Sequence, residues 1–187
     1  MDTSDSEIHF DENGFCNHCI SYFEKEPLYV FKGKDGEKKL NNLVQQIKDH
    51  GKNNEYDCVV GISGGVDSSY VAYLTKKLGL RALTVHMDNG WNSEMAVKNV
   101  ENIVKRLEFD YQSYVINWEE FKDIQISFLK ASVANIEIPT DHAFLAALYW
   151  ICAKNNVKYI LSGSNYVTEA ILPKSWGYNA KDLCHLK

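Results

Sequence analysis

The chain has 187 residues, with 20 lysines and arginines against 25 aspartates and glutamates, a formal net charge of −5. That length suits one domain, or one domain with a small appendage, and a hydrophobic content of 45% excludes wholesale disorder. The acidic balance argues against a broad phosphate-neutralising face, so no nucleic-acid partner is expected. The longest apolar run, Ala143–Ala153, is well short of the ~20 residues a membrane span needs, and no membrane insertion is expected. The first residues, Met1-Asp2-Thr3-Ser4-Asp5, are acidic and lack the features of a signal peptide. Five scattered cysteines do not suggest a disulfide framework. The expected setting is the cytoplasm.

Residues 1–37 are polar and read as an arm or small subdomain carrying the pair Cys16/Cys19. From residue 38 to 187 the pattern is regular. Leu40, Leu43, Val44 and Ile47 recur at helical spacing, with Gly51 as a stop. Asp57–Ile62 reads as a strand, and Val71, Leu74 and Leu78 line one face of the helix after it. Arg81–His86 is a second strand. Asn92 then caps a helix carrying Met95, Val100, Ile103 and Leu107. Tyr111–Ile116 is a third strand, and Asn117 with Glu120 forms a capping box ahead of Phe121, Ile124 and Phe128. Thr140 or Asp141 caps a very apolar helix whose Tyr149 and Trp150 read as core, and Val157–Leu161 is the fourth strand. Strands alternating with helices of this length predict an α/β fold with a doubly wound, mostly parallel sheet. Ligands in such sheets bind beyond the carboxyl ends of the strands.

The loop after the first strand is Ser63-Gly64-Gly65-Val66-Asp67-Ser68-Ser69. Glycines let the backbone approach a ligand closely, and the helix that follows presents free N–H groups, so the segment suits an anion. It has no lysine and matches neither GxxxxGK[ST] nor GxGxxG.

Those seven residues resemble the PP-loop of the N-type ATP pyrophosphatases. The resemblance implies that Ser63, Gly64, Gly65, Val66, Asp67, Ser68 and Ser69 hold the β- and γ-phosphates of ATP, which leave as pyrophosphate while AMP passes to an acceptor oxygen. Asp67 matches the motif's acid, linked to magnesium or to the loop itself, and with Ser63 it is a candidate catalytic residue. His86 and Met87, ending the second strand, fall where the family's backbone meets the adenine. Gly163, Ser164 and Asn165, ending the fourth, leave room for a nucleotide, and Glu169 is a candidate magnesium ligand. Lys174 is a candidate cation to offset phosphate charge, since the loop itself has none. His142 reads as a structural residue at a helix start.

A second resemblance starts at Ile8-His9-Phe10-Asp11-Glu12-Asn13-Gly14-Phe15-Cys16-Asn17-His18-Cys19 and runs through Ile171-Leu172-Pro173-Lys174-Ser175-Trp176-Gly177-Tyr178. It is to the N-acetyl sugar amidotransferases, PP-loop enzymes of lipopolysaccharide and related surface-glycan assembly. It implies adenylation of an acetamido oxygen and displacement of AMP by ammonia from a separate glutaminase subunit. Members of that family carry a further cysteine pair upstream that has no counterpart here, so Cys16 and Cys19 are only half of a zinc set, and a zinc cofactor is weakly founded. Members also continue beyond the stretch matching Lys187, so the chain reads as an amino-terminal part. A tRNA-thiolating PP-loop enzyme and a silent nucleotide-binding fragment are the alternatives.

Overall fold

The computed structural model describes residues 2–133, 135–169 and 173. Four strands, β1 (Cys58–Gly61), β2 (Ala82–Asp88), β3 (Asp110–Val115) and β4 (Ile160–Leu161), form one sheet in the order β3-β2-β1-β4. Every pairing is parallel: Val59 lies opposite Leu83 and Ile160, and Thr84 opposite Tyr111. β1 is buried throughout and β2 from Ala82 to Met87, the pattern of strands covered on both faces.

Seven helices are described: α1 (Asn17–Tyr29), α2 (Gly33–Gly51), α3 (Val66–Lys77), α4 (Glu94–Leu107), α5 (Trp118–Lys130), α6 (Ile138–Lys154) and α7 (Tyr166–Glu169). On one sheet face Cys58, Val60, Ile62 and Ala82 pack with Val44 and Ile47 of α2, Ala72 of α3 and Val100 of α4. On the other, Val59, Leu83 and Val85 pack with Leu148, Ile151 and Cys152 of α6. Helices on both faces of a parallel sheet are the predicted architecture. At the amino-terminal end of the sheet, buried Asp57 accepts from the N–H, Nε and Nη2 of Arg81, whose other donors reach the carbonyls of Gly51 and Asn54.

The described residues group into two units, one from the start to Leu43 together with those from Ser164, the other Val44–Gly163. The first holds α1, in the stretch that the sequence reads as an arm or small subdomain. Cys16 caps α1, and Asp5, 3% exposed, lies 2.6 Å from Nε2 of His18. Tyr166 stacks on Tyr29 and Tyr22 in the same unit. Helix α2 begins at Gly33 and runs across residues 37 and 38.

Several local expectations differ from the structure. Ser93, not Asn92, caps α4, accepting from the Ala96 N–H at 3.2 Å; Asn92 instead donates to Met87 O and Asp88 Oδ1. Asn117 caps α5 as predicted, through the N–H of Glu119. Helix α6 starts ahead of Thr140 and Asp141 because Pro139 suits a first helical turn, where no intrahelical partner is lost. Tyr149 and Trp150 are 53% and 54% exposed rather than core, since Leu148, Ile151 and Cys152 take the inward face. Strand β4 is short: Val157 N–H is spent on Cys152 O, closing the helix before it. Leu40 and Leu43 are exposed, while Val44 and Ile47 are buried.

Candidate active site at the β1–α3 junction

Ile62 N–H donates to Val85 O, carrying β1 one residue past its last pair before the chain turns. The turn is made at Gly64, with φ +81°, a conformation that favours glycine. A Cβ there would run into the Ala96 carbonyl oxygen of α4 and stand 3.0 Å from Ala96 Cα, so the loop lies directly on the first turn of that helix. Asn99 Nδ2 donates to Gly64 O at 3.1 Å and fixes the contact.

Gly65 then occupies the cap position of α3 in extended backbone, with no side-chain cap. The helix therefore starts with its N–H groups uncovered by a side chain, which with the helix dipole favours an anion. The serines close the loop on itself. Ser68 Oγ accepts from Ser63 N–H at 3.2 Å and lies 3.1 Å from Ser63 Oγ, while Ser69 Oγ donates to Gly65 O at 2.6 Å. Ser68 is buried; Gly65, Val66 and Asp67 are exposed, Val66 by 80%.

Gly163, just past β4, is held against this loop from the neighbouring strand. A Cβ on it would stand 2.9 Å from Ser68 N and 3.0 Å from Asp67 C. Its small size makes room for the loop's own backbone, a use that differs from the expected clearance for a nucleotide. On the other side His86 is 5% exposed, and its Nδ1 donates to Ile62 O at 2.9 Å, which fixes the tautomer. Met87 is buried and its carbonyl accepts from Asn92, while Asp88 Oδ1 accepts from Gly90 N–H and Asn92.

The structure thus brings Ser63–Ser69, His86, Met87 and Gly163 together at one end of the sheet. Ser164, Asn165 and Glu169 belong to the other unit, Glu169 closing α7. Lys174 lies outside the described residues. His142 sits half-buried in the first turns of α6. The sequence places Ala96 only among the apolar residues of α4 and does not single out Asn99, because their role here depends on where α4 lands and no local pattern announces it.

Cys16 and Cys19 have their sulfurs 3.4 Å apart, with Cys16 Sγ accepting from Cys19 N–H. Among the described residues no group of three histidine, cysteine or acidic side chains is placed to hold a metal ion, so zinc has no support there. The backbone N–H of Cys19 lowers the Cys16 thiol pKa, and the bond from Cys16 raises that of Cys19. Burial pushes Cys58 up to about 12 and Cys152 to about 11. At pH 8 those two are neutral thiols, and thiols of this kind do not alkylate. Iodoacetamide at pH 8 is therefore expected to spare Cys58 and Cys152 and to label Cys16, the thiol whose pKa is lowered, ahead of them, read by peptide mass spectrometry. Fast labelling of Cys58 in folded protein would contradict this burial.

Among the described residues no helix is long and apolar enough to cross a membrane. The fold is shared with NMN synthetase of Francisella tularensis (TM-score 0.53, 19% identity, 73% of this chain and 56% of that one). It is shared too with glutamine-dependent NAD+ synthetase of Acinetobacter baumannii (0.56, 17% identity, 69% and 26%) and with NH3-dependent NAD synthetase of Campylobacter jejuni (0.50, 21%, 69% and 57%). A 67-residue stretch is 34% identical to tRNA(Ile)-lysidine synthase of Chlamydia pneumoniae, covering 35% of this chain and 21% of that protein. The chain spans little more than half the length of the first of these structures and about a fifth of the lysidine synthase. Residues 38–172 match the NAD synthase family, and by that match over most of its length the chain belongs to this family of PP-loop ATP-pyrophosphatase type.

Proposed function

We propose that this chain is an ATP-dependent, AMP-forming amidotransferase acting on the acetamido group of an N-acetylated sugar, free or nucleotide-linked. The observation that carries the ATP step is the uncapped start of α3 beside Gly65, where only Ser63 Oγ, at 3.4 Å, approaches the space a side chain would fill. The triphosphate is assigned to that opening, and the A. baumannii relative is a complex with ADP. Asp67, exposed in the first turn of α3, is the residue assigned to magnesium, which prefers oxygen ligands and neutralises phosphate charge. Lys174 is assigned to the departing pyrophosphate.

The chemistry follows from the leaving groups. An amide oxygen is a poor leaving group until adenylated. Transfer of AMP to it expels pyrophosphate, and attack of ammonia on the activated carbon then expels AMP to leave an acetamidino group. Loop N–H groups stabilise charge on the phosphates as it develops. The C. jejuni relative is named as NH3-dependent, which supports ammonia as the nitrogen donor. The sugar is supported by the resemblance around Phe10–Cys19 and Pro173–Tyr178. The resemblance to the amidotransferases assigns the supply of ammonia to a separate glutaminase subunit.

A second reading, modification of tRNA, is favoured by the similarity to the lysidine synthase. The net charge of −5 counts against it. Exchange of labelled pyrophosphate into ATP separates the readings when run with UDP-linked N-acetyl sugars, with tRNA, and with neither. Exchange that depends on the sugar, and amidine formation with ammonium but not glutamine, is expected. Exchange that depends only on tRNA would overturn the sugar assignment. Absence of exchange with every acceptor, in protein that still binds ATP, would make the chain a nucleotide-binding module.

A further inference from the structure

We propose that Trp91 and Trp118 form the platform on which the pyranose ring of the N-acetylated acceptor lies, an inference that rests on the sugar reading above. Trp91 is 66% exposed and Trp118 39%, an exposure that core packing does not explain. They follow β2 and β3, and so stand at the carboxyl end of the sheet, the end that carries Ser63–Ser69. β2 lies beside β1 and β3 beyond it, about 10 Å from β1 by two strand spacings. Asn92, next to Trp91, donates to Met87 O and Asp88 Oδ1, and the helix that follows lies against Gly64 through its Ala96 backbone.

The two rings are held in place. Trp91 Nε1 donates to Oε1 of Gln125 on α5 at 2.9 Å, and Gln125 is buried. Trp91 N–H donates to Asn89 Oδ1, closing a turn at Gly90, whose φ is +81°. A Cβ on Gly90 would stand 2.8 Å from Cε3 of Trp118, so the turn lies directly on that indole. The rings meet at 71° with centroids 5.7 Å apart, which makes a corner of two carbon surfaces. With its one N–H spent on Gln125, Trp91 has only its ring face to offer a ligand. The bond to α5 and the contact with Trp118 draw Trp91 toward β3, to the side of β2 away from β1.

The charge around this corner selects its occupant. The segments Asp88–Met95 and Asn117–Asp123 carry Asp88, Glu94, Glu119, Glu120 and Asp123 against Lys122 alone. Such a field repels phosphate, which excludes the diphosphate of a nucleotide and the backbone of RNA from the corner. Carboxylates accept from hydroxyls, and the negative face of an aromatic ring attracts C–H groups. A neutral pyranose offers both, a C–H face and a rim of hydroxyls.

Pyrophosphate exchange and tryptophan fluorescence test the platform, with N-acetylglucosamine, N-acetylgalactosamine, their UDP-linked forms, UDP alone and ATP as probes. Trp91→Ala is expected to raise the KM for the responding sugar roughly tenfold, with kcat and the Kd for ATP within about twofold of the parent. Trp91→Phe also leaves Gln125 unpaired but keeps a ring face, and its KM is expected to stay within about threefold. UDP alone is expected not to shift tryptophan emission. A parent protein that responds to none of these sugars would overturn the platform and the sugar reading together. Use of a sugar with a KM indifferent to Trp91→Ala, or equally impaired in the alanine and phenylalanine variants, would overturn the platform alone. So would a matching loss of ATP affinity in Trp91→Ala, which would place adenine on the indole.

Discussion

Gly65→Val is expected to weaken ATP binding by roughly 150-fold in a protein that still folds. The backbone of Gly65 is extended, at φ −78° and ψ 165°, which any residue adopts. The nearest atom to an added Cβ is Ser63 Oγ at 3.4 Å, an ordinary contact. Valine therefore costs the fold little. Its methyl groups instead enter the space in front of the α3 N–H groups, where the phosphates are assigned. Losing that approach is expected to cost about 3 kcal/mol of binding, a weakening of roughly 150-fold. Titration calorimetry with ATP and magnesium measures it, and unchanged affinity in a folded variant would remove the phosphates from this loop. Asp67→Asn keeps the shape and deletes one charge. Its expected result is turnover lost with nucleotide binding partly retained, whereas equal turnover would leave Asp67 with a purely local role.

The neighbouring glycine is expected to fail in the opposite way. Gly64→Ala asks an L-residue to hold φ +81° and drives its methyl group into the Ala96 backbone. Neither the carbonyl nor the helix it belongs to is a flexible side chain that can swing aside. The left-handed conformation costs about 1 kcal/mol by itself, and the collision adds more by pushing α4 away from the loop. A loss near 3 kcal/mol, seen as a fall in Tm of roughly 6–12 °C, is expected. A Gly64→Ala protein as stable as the parent would mean that α4 does not rest on this loop. Two adjacent glycines thus have separable uses, one for the fold and one for the ligand.

The sheet and the loop were legible because their signals are local. Apolar runs bounded by polar turns located β1, β2 and β3 within a residue or two, and Ser63–Ser69 announces its junction by composition alone. What was not legible depends on tertiary placement. Helix α1 buries none of its residues and carries Pro27 inside it, so no apolar stripe marks it. Tyr149 and Trp150 sit in the most apolar stretch of the chain, yet hydrophobicity cannot tell which side of a helix meets the sheet. Gly163 was noticed as small, but its need for smallness comes from Asp67 and Ser68, nearly a hundred positions away.

The serine hydroxyls of the loop bear on the kinetics and entropy of capture. Ser63, Ser68 and Ser69 bind the loop's own backbone, and Ser63 and Ser68 bind one another. Freezing a flexible backbone residue costs about 1–2 kcal/mol at 25 °C, so a loop that had to order around phosphate would surrender much of its affinity. Here that conformational entropy was lost when the domain folded. On the proposed reading, an anion binding here meets N–H groups that the serine hydrogen bonds already hold in place, so its association is expected to be limited by encounter and desolvation rather than by a search through loop shapes. The same reading expects freed phosphates to leave a socket that water, and not the loop, fills.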